Sequence, residues 1–132
     1  MSVASQMLET SPAAPGYRSE DLVECIEACL ACAQACTACA DACLAEAMVA
    51  ELRRCITSDL NCADLCQAAG GILSRQTAYM PEMTRVALTA CRDACRLCAD
   101  ECEHHAEIHE HCRVCAEACR RCEQACERLL TL

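Results

Sequence analysis

The sequence predicts an all-α chain, an antiparallel up-down four-helix bundle with a Cys-lined lumen, and three observations predict it. Eighteen Cys in 132 residues recur mostly at alternating steps of three and four, the period of one helix face. They fall in four segments of similar length joined by short connections, the pattern of neighbouring helices in a bundle. Nothing in the chain suggests a strand.

Residues 1 to 18 are rich in Ser, Ala and Pro. They show no sustained period, so a flexible or loosely docked arm is expected. Residues 19–132 form the bundle. Its first helix spans about 19–48, with Ser19 as N-cap and Glu20 and Asp21 complementing the helix dipole; it carries Cys25, Cys29, Cys32, Cys36, Cys39 and Cys43. Over the eighteen steps from Cys25 to Cys43 this file of sulfurs runs roughly 27 Å. The second helix, about 51–74, carries Cys55, Cys62 and Cys66, with Asp59 at the place where a further Cys would fit the period. Gly70 and Gly71 weaken its end. Pro81 opens the third helix, about 81–104, at a position where a missing N–H is tolerated, and Cys91, Cys95, Cys98 and Cys102 follow. All four His lie between 103 and 111, where the last turn is expected. The fourth helix, about 108–130, carries Cys112, Cys115, Cys119, Cys122 and Cys126.

One domain suits 132 residues. With no Phe or Trp and only two Tyr, Cys and Ala must fill the interior. A net charge of −9 disfavours nucleic acid and acidic membrane surfaces as partners. No apolar run approaches the length of a membrane span. The first eighteen residues lack the features of a secretory signal, so a cytosolic location with reduced thiols is expected.

A lone Cys reads as a small buried hydrophobe, but a core of small apolar groups has no need of eighteen oxidisable ones. Disulfides fit poorly along one helix face, where Cβ atoms stand about 5–6 Å apart. Soft thiolates select Cu(I), zinc-group ions or iron–sulfur clusters. One Cu⁺ per displaced thiol proton leaves the lumen neutral, whereas four thiolates around Zn²⁺ carry a net charge of about −2. Multiple Cu(I) ions, roughly one per Cys, are therefore favoured. A zinc or cadmium buffer resembling metallothionein and a thiol redox protein using CLAC or CRLC remain as alternatives. Glu101 and His104 make one Glu-x-x-His pair, but a carboxylate di-iron site needs a second.

The runs CIEACLACAQACTACADAC, CRDACRLCADEC and CRVCAEACRRCEQAC resemble the copper storage proteins, and the cytosolic members in particular, over about residues 20 to 130. The resemblance implies Cu(I) storage without enzymatic activity, a homotetramer of bundles and a copper chaperone as possible partner. The poorer sulfur content of the second helix departs from a full stripe.

In an antiparallel bundle Met48, Asp59, His104, His105, His109 and Cys112 approach one end. They form a polar mouth at which imidazole and thioether pass Cu(I) inward. Leu22, Leu73, Met83, Leu88 and Leu129 gather at the other end as an apolar plug. Met80 and Met83 are expected in the core. Leu52, Ile56 and Leu60, like Val23, Ile26 and Leu30, form stripes beside the Cys faces, for packing within the bundle or between subunits.

Overall fold

The computed structural model describes all 132 residues, with five α-helices, one short 3₁₀ turn and no strand. Helix α1 spans Val3–Thr10, α2 Ser19–Leu44, α3 Arg53–Leu73, α4 Pro81–Glu103 and α5 Glu110–Leu130. Helices α2 and α4 each pack against α3 and α5. The four long helices thus enclose a common interior.

Of the thirty residues in the core cluster eighteen are Cys, and the rest are Ala, Leu and Ile. That composition follows from the period: steps of three and four bring every Cys to the inner face, and Ala beside it lets the helices approach. By composition α2 is long and apolar enough to cross a bilayer, with a mean hydropathy of 1.5 in its most apolar window. Here six buried Cys supply much of that apolarity, and they face the interior.

Several local features differ from the sequence expectation. Ser19 is already helical; Arg18 holds the cap position without a side-chain cap bond and pairs instead with Glu20 at 3.1 Å. α2 stops at Leu44, and residues 45–48 turn into the 3₁₀ segment Val49–Leu52. Gly70 and Gly71 lie within α3, which ends at Leu73. Met80 and Met83 are 62% and 48% exposed. At the start of α4 the inward positions belong to Thr84 and Leu88, so the two Met fall on the outer side and Met83 takes no part in the plug.

Residues 1–18 contain α1, which Ser2 caps by accepting the Ser5 N–H at 3.1 Å. Ala4, Leu8 and Tyr17 pack against the core. The chain then crosses the end of the long helices where Leu22, Leu73, Leu88 and Leu129 are buried. The Gly16 N–H donates to Gln76 Oε1 at 2.9 Å, and Gln76 Nε2 donates to the Leu73 carbonyl at 2.8 Å. A Cβ on Gly16 would stand 2.6 Å from the Tyr79 ring, so glycine permits this crossing. Tyr17 meets Tyr79 edge-on at 5.6 Å.

Candidate metal centre

All eighteen thiols are free, and none is more than 2% exposed. Their sulfurs form a continuous array. Cys25 meets Cys126 at 3.9 Å, Cys32 meets Cys119 at 3.7 Å, and Cys39 meets Cys112 at 3.8 Å. Between α3 and α4, Cys66 meets Cys91 at 3.7 Å, Cys62 meets Cys95 at 3.8 Å, and Cys55 meets Cys102 at 3.7 Å. These separations far exceed the ~2.05 Å of a disulfide. They lie within the ~4.6 Å that two metal–sulfur bonds can span, so one ion can bridge most neighbours with a bent S–metal–S angle.

Four-donor groups recur along the array: Cys29, Cys91, Cys122 and Cys126; Cys32, Cys66, Cys95 and Cys122; Cys36, Cys98, Cys115 and Cys119. The ligand atoms of each lie within 4.8 Å of one another. Cys32, Cys36, Cys119 and Cys122 each belong to more than one group. The donors are therefore shared and not partitioned into separate sites.

Asp59 fills the gap in the α3 file. It is fully buried, and its Oδ1 accepts from Cys98 at 3.1 Å, Cys115 at 3.3 Å and Cys102 at 3.4 Å. It thus lies inside the tube of thiols. Oδ2 has no partner. Burial, then the Cys115 and Cys98 thiols, push its pKa up to about 10, which keeps the carboxyl protonated near neutrality. Cys115 and Cys119 around Cys36, and Cys126 and Cys29 around Cys122, act with burial to push these thiols well above the ordinary range. Burial pushes Cys43, at the His end, up to about 12. Other thiols shift the opposite way, Cys32 lowered chiefly by Cys119 and Cys91 chiefly by Cys122, so protons are held unevenly along the array.

At that end the expected mouth residues separate. His109 is buried, its Nδ1 3.1 Å from Glu46 Oε2. His105 is half-buried and lies 3.0 Å from Glu101. His104 is exposed at the end of α4, and Met48 is 40% exposed; neither is brought to a thiol. The ring that does reach the sulfurs is His111, which the sequence reading passed over. Its Nδ1 lies 3.4 Å from Cys39 and 3.6 Å from Cys112, and it joins Cys39, Cys43 and Cys112 in a four-donor group. The signal was present, because His111, Cys115 and Cys119 follow one another at steps of four. Glu46 had no such signal.

Residues 18–131 match the model of a protein family described as copper storage protein. No curated protein matches the chain. Among solved structures, the copper storage protein Ccsp from Streptomyces lividans, loaded with 10 copper equivalents, is 55% identical over 98% of each chain, with a TM-score of 0.95. A cytosolic copper storage protein from the same organism, with five coppers, is 59% identical over 86% of this chain and 94% of its own, with a TM-score of 0.85. A Ccsp mutant with one histidine replaced by alanine is 58% identical over 88% of this chain and 97% of its own, with a TM-score of 0.86.

Proposed function

The chain belongs to the copper storage protein family, and from that premise we propose that it stores many Cu(I) ions, roughly one per Cys, on thiolates lining an up-down four-helix bundle. The observation that carries the proposal is the unbroken array of eighteen buried free thiols with shared four-sulfur groups. Zinc takes four donors for each ion, so the eighteen Cys would hold only about four Zn(II). Cu(I) accepts bridging thiolates and exchanges one positive charge for one proton, so the interior stays neutral as it fills. Burial of every thiol also speaks against a redox role, which needs an accessible low-pKa thiol.

The alternation of direction in the bundle is supported by the sulfur pairs, in which residue numbers rise along one helix as they fall along its neighbour. The ligand set comprises the eighteen Cys, with Asp59 as an oxygen donor once it loses its proton. Copper enters and leaves at the His end, through His109, His111 and the outer Cys39, Cys43 and Cys112, with His104, His105 and Met48 as outer stations. The protein works in the cytosol, the location given for its Streptomyces relative, without enzymatic chemistry. It receives copper from a chaperone and assembles as a homotetramer. Exposed Leu30 and Leu60 on the expected stripes offer apolar contact area for assembly.

The test is an anaerobic titration of the reduced protein with Cu(I) against a chromogenic chelator, with Zn(II) in parallel. Cu(I) is expected to bind preferentially and in far greater number. A preference for about four Zn(II) ions would overturn the proposal. Replacing His104, His105 and His109 with Ala is expected to slow uptake while leaving capacity almost unchanged; unaltered rates would remove the entry route.

A further inference from the structure

Glu46 stands in the turn after α2, its N–H donating to the Cys43 carbonyl at 3.2 Å. Its side chain meets the start of α5, where a single oxygen, Oε2, lies 3.1 Å from His109 Nδ1 and 2.9 Å from His111 Nε2. The two rings stack with centroids 5.5 Å apart. We propose that Glu46 is a positioning residue of the mouth, whose carboxylate holds the His111 proton on Nε2 and presents the bare Nδ1 to the sulfurs of Cys39, Cys43 and Cys112.

A carboxylate only accepts hydrogen bonds, so the ring nitrogen facing it is the N–H donor. A neutral imidazole has one N–H, which leaves Nδ1 with a free lone pair. That lone pair faces the sulfurs of Cys39 at 3.4 Å and Cys112 at 3.6 Å. When a metal ion replaces a thiol proton, it meets a nitrogen that has no proton to lose. The other tautomer would direct an N–H at the arriving cation. Metal-ligating histidines commonly donate their second ring N–H to a carboxylate, which fixes both tautomer and ring orientation. The same Oε2 lies 3.1 Å from His109 Nδ1, and the buried Nε2 of that ring has no partner. One carboxylate therefore stands beside both rings at the end of the thiol array. The inference rests on the proposed copper entry at this end.

Long-range proton–nitrogen-15 spectra of the reduced, metal-free full chain at about pH 8, where an ordinary His is neutral, read the tautomer directly. Wild-type His111 is expected to carry its proton on Nε2. Glu46→Ala should mix the two tautomers, and Glu46→Gln, whose amide oxygen still accepts, should restore the first. With Cu(I) added as its acetonitrile complex, the Nδ1 resonance should move while the Nε2 proton persists. Glu46→Ala should weaken the copper held at the mouth by about tenfold and have no further effect in a His111→Ala background. A wild-type proton on Nδ1, an unchanged tautomer in Glu46→Ala, or an undiminished loss in the His111→Ala background would overturn the proposal. The tautomer readings need no metal. Failure of the entry route would appear separately, as unaltered uptake rates in His111→Ala.

Discussion

With burial and the Cys115 and Cys98 thiols holding its pKa at about 10, Asp59 keeps its proton in the folded, metal-free chain, whereas the unfolded chain releases it near pH 4. Between these values the folded state binds the extra proton, so stability falls as pH rises, with a slope of up to about 1.4 kcal/mol per pH unit from this residue. Asp59→Asn is expected to remove that contribution. Denaturant unfolding of the metal-free chain at pH 5 and pH 7 checks it: wild type should lose more stability than the variant, and parallel losses would contradict the assignment. Ala78 has a φ of 54°, in the left-handed region. Ala78→Gly should therefore stabilise the chain by about 1 kcal/mol, read as a raised denaturant midpoint; a lowered midpoint would deny the strain. The Cys positions were legible in the sequence because the helical period places a side chain without reference to anything distant. Asp59 was visible as a break in that period, but its burial among three thiols depends on α4 and α5. His111 was legible at steps of four from Cys115 and Cys119, but its meeting with Glu46 stayed hidden, because it joins the turn after α2 to the start of α5 and no short-range spacing encodes it.

The four long helices were legible for the same reason as the cysteines, and Pro81 marks the start of α4 as expected. Helix α1 was not, because eight residues bounded by Ser and Pro carry too few apolar positions to show a period. It exists through contacts that Ala4 and Leu8 make with the core. The end of α2 was placed four residues late, since nothing near 45–48 punctuates the sequence and the 3₁₀ turn is set by the burial of Leu52. Met80 and Met83 were misplaced because an apolar type at a helix start says little about which side faces the core. Between helices, Arg120 of α5 reaches Asp100 at 2.6 Å and Glu103 at 2.8 Å, both on α4, and Glu123 at 3.0 Å on its own helix. Arg113 pairs only with Glu110 and Glu117 of α5. Exposed pairs contribute at most about 1 kcal/mol. Arg120→Ala should therefore cost up to about that amount, and more than Arg113→Ala, by denaturant unfolding. Equal losses would show that the contacts between helices add nothing.

For the molecule as a whole, the helices have Ala and Leu for propensity, so the metal-free chain is expected to be helical and folded. Copper bound to the native state alone then adds stability with each increment of loading. Thermal unfolding followed by circular dichroism should show a helical metal-free protein whose midpoint climbs with Cu(I); a disordered metal-free chain would make copper part of the fold itself. The proposed tetramer is checked by solution mass at micromolar concentration, where a monomer would refute it. The most direct test of the central claim is the mass of the reduced chain after saturation with Cu(I) without oxygen, measured under native conditions. The account predicts close to one copper for each of the eighteen Cys, and saturation at only one or two ions would contradict it.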